Sequence, residues 1–292
     1  MLNRLRNRSL YDLLHVDPSV DRAHVYETSW LLPPLPYAIL RGTISLYIFT
    51  SIFFIWGWSG THGDRAEIGE SFSYFTWLTY WGLGFYMLFA SIHTACYALK
   101  GHSVLFDRWP RALRALHGLF YATVTTYPFL VTVVFWGILY SGPWYTVTFS
   151  GWQNISQHGL NSLYALLEIV LPTTAPHPFL SFPVLVFILL LYVSLAYLTY
   201  HTEGFYTYSF LDPGPHGEKS AHVTGYCFAI LAIILVFFLF SWCAIWLRRR
   251  VTGGKVKRSV YDRDYAGAGV GGSLEAEGGG GEDVGVEIMG EK

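Results

Sequence analysis

The stretch Trp152-Gln153-Asn154-Ile155-Ser156-Gln157-His158-Gly159-Leu160-Asn161-Ser162-Leu163-Tyr164-Ala165-Leu166-Leu167-Glu168 sets His158, Asn161 and Glu168 into a run otherwise apolar enough to enter a bilayer. A charged side chain at the bilayer centre costs a few kcal/mol, so a membrane segment that keeps several polar groups is by default a candidate functional site. At ~100° per residue, His158, Asn161, Ser162 and Glu168 fall within an arc of about 120° on one helix face. That face is wet or paired. Interhelical hydrogen bonding is the competing explanation, and it needs no active site.

Outward from this stretch the composition is that of a membrane protein. Of 292 residues, 52% are apolar, 18% aromatic and only 13% charged, against about a quarter charged in soluble domains. Six apolar runs, at 36–58, 72–99, 113–141, 155–172, 179–202 and 221–247, each approach the ~20 residues that a spanning helix needs. The expected architecture is an all-α polytopic bundle of about six transmembrane helices over 36–248. A cytosolic lead-in occupies 1–35, and a basic, then glycine-rich acidic, disordered tail occupies 249–292. Arginines 4, 6, 8 and 22 precede the first run, Lys100, Arg108, Arg111 and Arg114 lie between the second and third, and Arg248 to Arg250 follow the sixth. The positive-inside rule makes these segments, and both termini, cytoplasmic. The remaining gaps carry Asp64, Glu67, Glu70, Glu203, Asp212 and Glu218 and belong on the outer side.

A net charge of −1 gives no electrostatic basis for nucleic-acid binding. Cys96, Cys227 and Cys243 sit in apolar runs without CxxC spacing and read as buried packing residues, so neither metal, cofactor nor disulfide is indicated. His93, His102 and His117 fall towards the cytoplasmic side and read as interfacial. For Glu168 a structural pairing is expected, and two alternatives stand open for Arg41 of the first span: it is the partner of Glu168, or it snorkels to the cytoplasmic interface. Asn154-Ile155-Ser156 is a glycosylation sequon too near the bilayer to be modified.

Thr79 in the second span lies about 10 Å below the outer surface at ~1.5 Å per residue, in the same leaflet as His158. A threonine hydroxyl becomes a nucleophile when a base takes its proton, and neutral imidazole is the usual base. Threonine is also frequent in membrane helices, where its hydroxyl bonds to the preceding turn; Thr43, Thr76, Thr94 and Thr123 share that description with Thr79.

Three ordered motifs add to this reading: Phe75-Thr76-Trp77-Leu78-Thr79, then Trp152-x-Asn154-x-x-x-His158 followed by Glu168, then His201-x-x-Gly204-x-x-x-Tyr208-x-Phe210-Leu211. Together they resemble the androgen-induced protein family of multi-pass membrane proteins across roughly residues 36–247. The chain departs from the animal members in its lead-in, its glycine-rich tail and Ser-Phe-Leu-Asp-Pro at 209–213. The resemblance implies a threonine hydrolase of the endomembrane system, in the endoplasmic reticulum or plasma membrane, that cleaves fatty-acid esters of hydroxy fatty acids. Thr79 would be its nucleophile and His158 its base. Asn154, Asn161, His201 and Tyr208 would support the site or line it. The rival is a non-enzymatic bundle: a channel, a lipid or proton carrier, or a scaffold with a polar seam.

Overall fold

The structure, a computed structural model, describes residues 9–16, 23–62 and 65–262. Arg4, Arg6, Arg8, Arg22, Asp64 and the glycine-rich acidic part of the tail lie outside the described residues. Helices dominate the described residues, and no β-strand is found among them. Helix α1 is Leu10–Leu13, α2 Pro34–His62, α3 Ala66–Glu70, α4 Phe75–Lys100, α5 Val104–Arg108, α6 Arg111–Val124 and α7 Tyr127–Val134. Then come α8 Thr148–Ile155, α9 Asn161–Val170, α10 Ser181–Glu203 and α11 Ser220–Thr252.

Five helices are long and apolar enough to cross a membrane: α2, α4, the Arg111–Leu139 run through α6 and α7, α10 and α11. The fourth expected span is not among them. Yet α8, a π-helical turn at Ser156–Leu160 and α9 form one unbroken helix, long enough for a ~30 Å hydrocarbon core at ~1.5 Å per residue. Its contacts with α2 run in antiparallel order along the bundle. Phe149 meets Phe54 and Trp58, Ser156 meets Tyr47, and Glu168 meets Arg41 and Tyr37. The helix therefore traverses the bundle from end to end. It falls short in apolarity because Ser156, Gln157, His158, Asn161 and Glu168 are all buried against neighbours instead of facing lipid.

Helices α2 and α4 form a close antiparallel hairpin. A Cβ on Gly84 would lie 2.9 Å from Ile48 Cγ2, and the backbones approach closely enough for Ser45 to donate to Gly84 O and Ser91 to Ala38 O. Small residues with hydroxyl cross-bonds are the usual adhesive between membrane helices. Pro128 breaks the Arg111–Leu139 span between α6 and α7, as a missing N–H requires; Ser241 of α11 donates to Thr125 O at this break. In the apolar windows of α10 and α11 only 17% and 22% of residues are buried, against 44–50% in the other spans, so these two helices are peripheral. The outward Phe187, Leu190, Phe228 and Val236 suit a lipid solvent. Cys227 and Cys243 share that surface and Cys96 is half-buried, so the cysteines are not the buried packing residues expected.

Both ends of the described chain meet at one end of the bundle. Ser29 bridges Pro172 and Lys257, and Lys257 N donates to Ser29 O over 2.8 Å. The lead-in is thus part of the fold: His24, Glu27, Thr28 and Ser29 are buried, and the Tyr26 carbonyl accepts from Arg41. The tail is ordered further than expected, since α11 continues to Thr252 and the stretch to Asp262 is pinned beneath α4.

Candidate functional site

His158 stands on the π turn Ser156–Leu160, opposite a second π turn at Phe135–Leu139 that ends the third span. The two turns lock together. The Phe135 ring lies flat on the imidazole, with centroids 3.5 Å apart and planes within 2°, and Trp136 Nε1 donates to His158 O over 3.0 Å. A π turn shifts the i→i−4 ladder by one residue, and the polar groups beside it are satisfied sideways. Asn161 Oδ1 accepts from Ser162 N at 2.6 Å and from Thr132 Oγ1 at 3.2 Å, while Ser162 Oγ reaches Pro128 O. Two buried groups in this layer, His158 Nδ1 and Gln157 Nε2, have no hydrogen-bond partner among the described residues.

Thr79 faces elsewhere. Its hydroxyl donates to Thr76 O over 2.9 Å, the ordinary back-bond of a helical threonine, and it lines a cleft with Phe120, Tyr127 and Leu195 that does not include His158. Among the described residues no hydrogen bond joins Thr79 to His158. Thr76, one turn earlier, lines a different cavity of about 290 Å³ between α4, α7, α10 and α11, close to the ~300 Å³ lower bound of small-molecule pockets. This cavity is walled by Phe135, Leu189, Leu190 and Phe228, and its polar groups are Thr76, Tyr192 and Tyr208. Burial pushes the Tyr208 hydroxyl above the usual tyrosine range, and the adjacent Thr76 hydroxyl pulls it back. Phe135 is therefore a partition, with the cavity on one side and His158 on the other.

The remaining expected residues divide. Asn161 is buried within the layer around His158. Asn154 spends its Nδ2 on Ser150 O in its own helix. His201 is exposed on the last turn of α10 and meets the Tyr200 ring edge-on.

At the basic end of the bundle lies a second polar centre. Arg41 and Glu168 form a bidentate pair, Nε to Oε1 at 2.8 Å and Nη2 to Oε2 at 2.6 Å, with exposures of 1% and 2%. Arg41 Nη1 adds bonds to Tyr26 O and Thr94 Oγ1, and the Tyr37 and Tyr86 hydroxyls donate to the carboxylate. The expected pairing is present and snorkelling is not. His93 and His117 are buried beside it, 1% and 5% exposed, with ring centroids 5.6 Å apart; they are core residues, not interfacial ones, and only His102 is exposed. In the connection between α9 and α10, His177 bonds Thr125 through Nε2 at 2.9 Å, and burial lowers its pKa to about 3.

Sequence reasoning passed over Phe135, Trp136 and Thr132, because aromatic and threonine residues in an apolar run carry no polar signal. Comparison with family models, with curated proteins and with solved structures finds no match to this chain.

Proposed function

We propose that this membrane-embedded chain is a lipid ester hydrolase, acting on fatty-acid esters of hydroxy fatty acids or similar lipids with Thr79 as nucleophile and His158 as base. The observation that supports it is the setting of His158. A buried imidazole with an unpartnered nitrogen is separated by a single aromatic ring from an apolar cavity suited to an acyl chain. In this reading Thr79 turns its hydroxyl from Thr76 O towards the ester and Oγ attacks the carbonyl. His158 takes the hydroxyl proton and returns it to the leaving alkoxide, and water then hydrolyses the acyl-threonine. Phe135 has to swing aside for the imidazole to come within the ~3 Å that proton transfer needs. The compartment proposed is the endomembrane system, either endoplasmic reticulum or plasma membrane.

One observation favours a carrier or scaffold instead. The polar seam of the fourth span continues from Ser156 through Asn161 to Glu168, and no bond along it reaches Thr79. Labelling of purified protein by a lipid-tailed fluorophosphonate separates the two readings. A hydrolase labels in the wild type and loses the label in both Thr79→Ala and His158→Ala. Folded wild-type protein that takes no label removes the hydrolase reading and leaves the seam as carrier or scaffold.

A further inference from the structure

After α11 the chain reads Lys255-Val256-Lys257-Arg258-Ser259-Val260-Tyr261-Asp262 and turns back as a strap across the basic end of the bundle. Its fastenings are few and specific. Ser259 Oγ donates to Ala98 O over 3.0 Å, Ser259 N donates to the Tyr97 hydroxyl, and that hydroxyl donates to Asp262 Oδ2 over 2.8 Å. Tyr261 N closes on Ser259 Oγ, and Arg258 pairs with Asp262 at 3.0 Å. The strap passes so close to the turn ending α4 that a Cβ on Gly101, itself at φ +72°, would stand 1.8 Å from Tyr261 O. Ala98 belongs to the last turn of α4, whose carbonyls lack helical donors. Ser259 thus caps that helix end from outside.

We propose that Ser259 is a phosphorylation site for a basic-directed serine kinase, and that phosphorylation releases the strap. The recognition half of the inference lies in the sequence. Arg258 and Lys257 directly precede the hydroxyl and Lys255 lies two residues further back, offering three cations to an acidic substrate groove. Lys255, Lys257, Val260 and Tyr261 are exposed around the buried Ser259, so the strap need only lift for the hydroxyl to be reached. The positive-inside orientation puts this face on the cytoplasmic side, where nucleoside triphosphate is found.

The release half follows from charge. The kinase forms an Oγ–P bond with the γ-phosphoryl group of the nucleoside triphosphate and breaks the bond from that phosphorus to the β–γ bridging oxygen. The hydroxyl proton passes to the kinase's base, and nucleoside diphosphate leaves. The product carries about −1.5 to −2 charges. It has no proton to give Ala98 O, it faces the negative end of the α4 dipole, and it competes with Asp262 for Arg258. Each of the strap's fastenings at Ser259 is then lost or opposed.

The test uses the full chain in detergent or nanodiscs, with a basic-directed kinase catalytic subunit and ATP. Phosphosites are mapped by mass spectrometry and the strap is followed by amide exchange of Lys257, whose N–H is held by Ser29 O. The expected result is phosphate on Ser259 with exchange at Lys257 faster by about tenfold or more, as for loss of one or two hydrogen bonds. Ser259→Ala abolishes both effects. Tyr97→Phe, which removes one anchor without touching the kinase motif, speeds phosphorylation several-fold. Failure of the kinase to modify Ser259 in both wild type and Tyr97→Phe overturns the site. Stoichiometric phosphate on Ser259 with unchanged Lys257 exchange overturns the release.

Discussion

Arg41 and Glu168 have almost no water left around them, and their geometry decides how they respond to mutation. A buried pair contributes little net stability over apolar residues of similar size, whereas removing one partner strands a charge and costs about 3–5 kcal/mol. Glu168→Leu is therefore expected to lower the thermal unfolding midpoint in detergent far more than a double Arg41→Met, Glu168→Leu replacement. The double variant will recover only part of the loss, because the Tyr37 and Tyr86 hydroxyls also donate to Glu168 and the Thr94 hydroxyl accepts from Arg41. Recovery failing altogether would mean that the pair is held for something other than charge neutralisation. His177 gives the pH counterpart. Burial holds its folded pKa at about 3, below the 6.5 of an ordinary histidine, so as pH falls from 6.5 the unfolded chain takes up a proton that the native state refuses. Stability is lost progressively between pH 6.5 and about 3, with no contribution above 6.5. The Tyr121 ring and Thr125 hydroxyl touch the imidazole, and His15 and Arg114 line the same cavity; none is a carboxylate that would reverse the sign. Midpoints of wild type and His177→Asn should run parallel above pH 6.5, with the wild type falling more steeply below it.

The two facing π turns hold His158 against Phe135, and Phe135 is the piece that can be removed cleanly. Phe135→Ala deletes the ring that lies over His158 and joins the cavity to the imidazole. Diethyl pyrocarbonate should then modify His158, read by mass spectrometry, whereas the 7% exposure of the wild-type residue keeps it unreactive. Loss of packing should cost about 1–3 kcal/mol for this half-buried ring, leaving a folded protein to assay. Equal reactivity in wild type and variant would remove the partition from the account. At this scale the sequence was readable in part, for reasons that differ between elements. The polar arc of 158–168 announced a helix with a wet or paired face, and Arg41 as partner of Glu168 was one of two readings left open by opposite charges in otherwise apolar spans, settled by the bidentate pair itself. The direction of Thr79 did not follow, because depth along a helix fixes height and not azimuth, and its side chain lines the cleft near Leu195 and not the layer around His158. The π turns were equally hidden, since one inserted residue in an apolar ladder leaves no compositional trace. Nor did hydropathy foretell the strap, whose anchors are backbone groups of Ser29 and Ala98 meeting an ordinary polar sequence.

For the whole molecule, five apolar spanning helices, the Thr148–Val170 helix that runs the length of the bundle beside them, and the meeting of Ser29 with Lys257 on one face form a single testable topology. Ser29 and Lys257 are hydrogen-bonded to one another, so the chain must cross an even number of times. That makes the antiparallel Thr148–Val170 helix a true crossing even though it falls short in apolarity. The same face collects Arg108, Arg111, Arg114 and Arg248 to Arg250, and charge bias of this kind orients membrane bundles with the cations in the cytoplasm. In sealed microsomes, epitope tags on either terminus should be digested by protease added from the cytosolic side, and a glycosylation sequon introduced into the 213–218 loop should acquire glycan. The native Asn154-Ile155-Ser156 sequon should stay unmodified. Its asparagine is bonded to Ser150 O within α8, and its serine hydroxyl is buried against Tyr47, so an oligosaccharyltransferase, which needs an extended acceptor, has nothing to bind. A protected tag at one end with a digested tag at the other would require an odd number of crossings. The Ser29–Lys257 bridge could not then exist, and the strap, the cytoplasmic serine and the leaflet assigned to His158 would all fall with it.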